Sequence, residues 1–155
     1  MNRVISQSND EETTRTPVFN LTNNELEFIS QQRAGILTTT SASGDIHTNP
    51  VYYVVQNSNI YILTRKETHK AQNMVSRPQA TLAILNNNTL QYVTINALSQ
   101  VVSSLEKEEL IYNSISEQIS KKSSSIIQNA LYDAEKGEYT VFQLVLVSSS
   151  NNINA

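Results

Sequence analysis

Apolar residues recur along this chain with two periods, and the switches between them mark its elements. Near the start the period is helical. Thr22 and Glu25 have the spacing of a capping box, Leu21 and Leu26 that of a hydrophobic staple, and a helix to about Gln32 buries Leu26, Ile29 and Phe28. From Ala34 the pattern is extended. Ala34–Thr40 is β-branched and reads as a strand; Ser41–Asp45 is a turn in which Gly44 is free to take positive φ; Ile46–Gln56 is a second strand; Asn57–Asn59 turns into a third, Ile60–Thr64. A short helix from Thr68 to Ser76 is closed by Arg77-Pro78, because the residue before proline resists the helical region. Ala80–Leu85 and Leu90–Val102 follow as strands around an asparagine turn. Ser103 and Glu106 repeat the capping box, and Ile111, Ile115 and Ile119, then Ile126, Ile127, Ala130 and Leu131, predict a helical pair or a broken helix over 105–134. The pattern ends with Gly137, a strand Tyr139–Val147 and a polar end from Ser148.

Six short strands with a helix near the middle predict a mainly β fold with peripheral helices, a six-stranded antiparallel barrel that is closed or split. The first three strands are joined too tightly for parallel crossovers. Residues 1–17 are polar and patternless and read as a disordered arm; 18–148 form one domain, and 149–155 a polar tail.

Composition narrows the function classes. The 155 residues carry a net charge of −3, so no overall basic field attracts nucleic acid. Cysteine is absent, which removes disulfides, thiolate metal sites and thiol nucleophiles. Only His47 and His69 are available as imidazoles, which argues against a metal site. No apolar run approaches the ~20 residues of a membrane span, and the N-terminus lacks the apolar region of a secretory signal, so a cytoplasmic protein is expected.

One window carries chemistry. Thr64-Arg65-Lys66-Glu67-Thr68-His69-Lys70 joins a strand end to a helix start. Cations there face the positive end of the helix dipole, at a cost of about 0.3–1 kcal/mol each, and an anion reverses the sign. Backbone amides, the Thr64 and Thr68 hydroxyls and the Lys70 ammonium suit a phosphate. The plainer reading is a solvated basic loop with Glu67 as counter-ion.

The order of several segments resembles the pyridoxamine 5′-phosphate oxidase-like, FMN-binding split-barrel family over about Leu26–Val102. Ala34–Thr39 and Gly44–Val51 resemble its opening hairpin, Ile60–Arg65 with Thr68–Asn73 its strand and phosphate-binding turn, and Arg77–Ala83 the segment that follows. The resemblance implies that Thr64, Arg65, Thr68, His69 and Lys70 surround a flavin phosphate. It implies that Asn49, Pro50, Val51 and Tyr52 line the isoalloxazine through their backbone, and that Gln91 or Tyr92 reaches the cofactor of the opposite subunit of a homodimer. The family often has serine and arginine where Thr68 and His69 stand. Members that make pyridoxal phosphate carry arginine at Asn49, lysine at Val54 and a C-terminal tryptophan/arginine segment; this chain has no tryptophan. The implied activity is an FMN- or deazaflavin-dependent oxidoreductase on a small molecule other than the pyridoxal phosphate precursor, with no catalytic side chain assigned. A non-catalytic flavin- or haem-binding module, and a barrel that dimerises without ligand, remain the alternatives. Outside that window, His47 reads as acid/base or as structural, and one of Tyr52 and Tyr53 must face the core.

Overall fold

The computed structural model describes residues 18–102 and 139–153. In chain order these residues form α1 (Asn23–Gln31), β1 (Ala34–Thr40), β2 (Ile46–Gln56), β3 (Asn59–Arg65), α2 (His69–Ser76), β4 (Gln79–Leu85), β5 (Tyr92–Val101) and β6 (Tyr139–Asn151). All strand pairs are antiparallel, and the six strands close in the order β1-β2-β3-β6-β5-β4. The mainly β antiparallel barrel is as the sequence predicts. The arm 1–17, the helical pair over 105–134 and its isoleucine stripe lie outside the described residues.

Alternation fills the barrel. Leu37, Val51, Tyr53, Ile60, Ile62, Leu82, Ile84, Val93, Ile95, Phe142 and Leu144 point inward and are buried. Gly35 also points inward, where a Cβ would meet the Ala83 carbonyl at 2.8 Å, so the close approach of β1 and β4 requires glycine. Of the adjacent tyrosines, Tyr53 is the inward one and Tyr52 stands outside. Val54, Tyr61, Val102 and Val141, with Leu63 against them, form a second apolar cluster on the outer side of β2, β3 and β6.

Strand lengths leave this barrel incompletely laced. β3 pairs with β2 only through Tyr53↔Ile62 to Gln56↔Asn59, and with β6 only through Arg65↔Tyr139 to Ile60↔Leu144. At one end β6 therefore runs on past β3, and α1 occupies that gap. The Tyr53 hydroxyl donates to the Ile29 carbonyl, and burial pushes that phenol far above its usual pKa. Glu25, buried, accepts from the Thr22 amide (2.9 Å), Ser149 Oγ (2.8 Å) and Asn151 Nδ2 (2.8 Å). β6 continues to Asn151, where apolar alternation predicts an end at Val147, because Ser148–Asn151 stay paired with β5, and Ser149 and Asn151 give their side chains to a carboxylate in place of hydrophobic burial. The capping box is present as read, with Thr22 Oγ1 accepting from the Glu25 amide.

Burial alone raises the Glu25 pKa, but the hydrogen bonds from Thr22, Ser149 and Asn151 outweigh it and hold the carboxyl below its ordinary value. A depressed carboxylate contributes stability that is present above the unfolded-state pKa and lost as pH falls through the folded one. Urea midpoints of the wild type should therefore decline as pH falls below about 4.5, more steeply than those of Glu25→Gln. Glu25→Ala should lose about 2–3 kcal/mol at neutral pH by stranding the buried donors. Equal pH slopes for wild type and Glu25→Gln would contradict the clamp.

Candidate cofactor site between β2, β3 and α2

At the other end the missing lacing has a different result. Residues Ile46–Tyr52 of β2 pair with β1 alone, and Leu63–Arg65 of β3 pair with β6 alone. Extending the β2–β3 register would set Tyr52 opposite Leu63, Val51 opposite Thr64 and Pro50 opposite Arg65. No ladder forms there, and Pro50 has no N–H to contribute to one. A split thus opens between two strand edges, and in an antiparallel strand alternate residues turn their N–H and C=O toward that open side. Asn49, Pro50, Val51 and Tyr52 form one lip, Thr64 and Arg65 the other.

The β3–α2 turn sits at the end of this split. Thr68 is the N-cap of α2; its hydroxyl donates to the Arg65 carbonyl (2.8 Å) and accepts from the Ala71 amide (3.3 Å). Thr64 Oγ1, on a buried side chain, lies 3.2 Å from Thr68 Oγ1. The two hydroxyls therefore meet each other and the helix cap. The amides of His69 and Lys70 open the first turn, where no intrahelical acceptor exists. Glu67 forms an ion pair with Arg65 at 3.0 Å, so the counter-ion reading holds for that cation. Its own backbone amide and Arg65 hold the Glu67 carboxyl below the usual range.

Lys70 is different. It is half-buried and has no hydrogen bond or ion pair among the described residues, and burial depresses its ammonium pKa. His69 is exposed and turns its ring toward His47, with centroids 5.6 Å apart.

Gln91 is not brought to this cluster within one chain. β4 and β5 run from Gln79↔Leu98 to Leu85↔Tyr92. α2 packs at the first end, where Ser99 Oγ donates to the Met74 carbonyl (3.0 Å). Gln91 lies beyond the second end, beside a hollow of about 380 Å³ lined by Asn24, Phe28 and Gln31, its amide donating to the Ile153 carbonyl at 3.5 Å. Tyr92 points outward at that same end.

Sequence reasoning passed over Asn73. This buried amide on α2 donates to Thr39 Oγ1 (3.0 Å) and meets His47 Nδ1 (3.1 Å), which ties the helix to the β1–β2 hairpin. No apolar periodicity marks it, because i and i+2 lie on opposite sides of a helix and Asn73 is two residues from Ala71; once buried, its amide requires partners.

A lysine whose folded pKa is depressed binds fewer protons in the folded than in the unfolded state, so stability rises with pH between its folded and unfolded values. Urea midpoints should rise through the alkaline range below about pH 10.4, and this rise should be absent in Lys70→Met. Superimposable pH profiles would mean that the ammonium is fully hydrated.

Comparison with known proteins is consistent with this architecture. Solved structures with the same fold include a conserved hypothetical protein from Mycobacterium tuberculosis (18% identity, 88% of this chain and 87% of that one, TM-score 0.69). The haem storage protein HutZ from Vibrio cholerae matches with 16% identity over 85% of this chain and 94% of that one, TM-score 0.65. A FAD-binding protein from Mesorhizobium loti matches with 14% identity over 84% and 92%, TM-score 0.59. No curated protein matches the sequence. No helix among the described residues is long and apolar enough to cross a membrane. The family model for pyridoxamine 5′-phosphate oxidase matches residues 21–147, and the chain belongs to that family.

Proposed function

We propose that the protein is an FMN-binding oxidoreductase acting on a small molecule other than the pyridoxal phosphate precursor. The observation that carries this reading is Lys70: a desolvated ammonium without a partner, in the first turn of α2, at the end of an open split. Desolvating an unpaired charge is unfavourable, and a phosphate placed against Lys70 and the amides of His69 and Lys70 supplies the missing partner.

The residues present fit the cofactor. The phosphate is bound by Lys70 and the first-turn amides. Thr64 and Thr68 hold the turn in shape, with a hydroxyl proton free to rotate from the Arg65 carbonyl toward an anion. The edge of Asn49–Tyr52 that faces away from β1 offers backbone hydrogen bonds to the polar edge of a planar ring. Bound flavin supplies the redox chemistry, and the protein's part is to anchor, orient and exclude water. Exposed Ile36, Tyr52, Leu85 and Tyr92 on neighbouring strands give the barrel an apolar outer face suited to a second copy. In such a homodimer Gln91 serves the cofactor of the other subunit. The reading places the protein in the cytoplasm, where reduced flavins and nicotinamides are supplied. HutZ shares the fold, but no described residue here favours haem over flavin.

Titration with FMN and with riboflavin tests the anchor. FMN should bind and riboflavin should bind much more weakly, and Lys70→Met should weaken FMN by about tenfold or more while leaving riboflavin unchanged. Equal affinity for the two flavins would overturn the phosphate site. Binding of the deazaflavin coenzyme in preference to FMN would keep the anchor and change the cofactor.

A further inference from the structure

A second hollow shares His69 with the β3–α2 turn. It has a volume of about 630 Å³ and lies between the β1–β2 turn and α2, with Ser43, Asp45, His47, His69, Gln72 and Asn73 among its walls. Most polar groups there are engaged with one another. The Asp45 amide donates to Ser41 Oγ (3.0 Å), Ser43 Oγ to Asp45 Oδ2 (3.3 Å), Gln72 Nε2 to the Glu67 carbonyl (3.3 Å), and Ser76 Oγ to the Gln72 carbonyl (3.1 Å).

The two imidazoles each keep a ring nitrogen without a hydrogen bond among the described residues. Asn73 Nδ2 carries two hydrogens and has two neighbours, Thr39 Oγ1 at 3.0 Å and His47 Nδ1 at 3.1 Å, so each receives one. With the Asn73 amide in this orientation His47 Nδ1 accepts, and the ring N–H lies on Nε2. In this arrangement the group His47 has left to offer is an N–H. The His69 ring makes no hydrogen bond among the described residues and lies 5.6 Å from that of His47, with planes 33° apart. Its backbone amide serves the β3–α2 turn while its ring belongs to this hollow.

We propose that the hollow binds the carboxylate group of a small molecule, held between His47 Nε2–H and the His69 imidazole. A metal ion needs a lone pair, and His47 presents a proton; no group of three metal-ligating side chains occurs among the described residues. Two donors on one side of a hollow match the two coplanar oxygens of a carboxylate. A phosphate dianion is repelled about twice as strongly by Asp45, which lines the same space. As a ligand site this stands by itself; as the docking place of the substrate it rests on the flavin reading, because the hollow shares His69 with the proposed phosphate turn.

The test uses the full chain and acetate, with acetamide as the uncharged isostere and inorganic phosphate as the competing anion. Imidazole ¹H–¹⁵N spectra are recorded with and without FMN. Acetate should shift the His47 and His69 ring nitrogens saturably, acetamide should not, and His69→Gln or His47→Phe should weaken acetate by about tenfold, the loss of one charge-assisted hydrogen bond. His69→Gln leaves the Asn73 contacts in place and so tests the site even if His47→Phe does not fold. No saturable shift, an equal response to acetamide, tighter phosphate binding, or unchanged affinity in His69→Gln would overturn the proposal. Because the readout is the imidazole ring, failure of FMN binding leaves this result unaffected, and its own failure leaves the flavin site standing.

Discussion

Seven residues of β3 stand between an eleven-residue β2 and a thirteen-residue β6, and the rest of the molecule follows from that mismatch. A strand that short cannot satisfy both neighbours along their whole length. Backbone groups must find other partners at each end of the barrel. At one end a helix enters and the gap is closed with a tyrosine hydroxyl and a buried carboxylate. At the other, the lips stay apart, and the helix that follows β3 presents the start of its first turn there.

Electrostatics gives the open end its character. The chain is acidic overall, yet Arg65, Lys66 and Lys70 gather where a helix dipole is positive. Glu67 balances Arg65, which leaves Lys70 as the half-buried cation without a counter-charge among the described residues. Threonine hydroxyls and the Asn73 amide hold the turn and the hairpin against α2, so the arrangement is fixed before any ligand arrives. Preorganised donors of this kind bind an anion without a large ordering cost.

Much of this was legible in the sequence, for identifiable reasons. The six strands were, because alternation at Ile60–Thr64 or Ala80–Leu85 depends only on which face is buried. The capping box of α1 was legible because it is local. The end of β6 was not. Ser149 and Asn151 pair with β5 and turn their side chains to Glu25, more than a hundred residues away, and no local pattern announces a partner at that distance. The cation cluster was legible as charge, but which cation is paired was not, since Arg65 and Lys70 differ only in whether Glu67 can reach them. The split came from the family resemblance and not from the strand pattern: Pro50 hints at an edge, yet the loss of pairing is a property of three strand lengths taken together.

The account's central claim is that an anion completes the first turn of α2. Its most direct test is a backbone ¹H–¹⁵N titration of the full chain with FMN, repeated with riboflavin. The account predicts large, saturable shifts of the His69 and Lys70 amides with FMN, and little change at those two amides with riboflavin. Shifts confined to other residues, or identical responses to the two flavins, would contradict it.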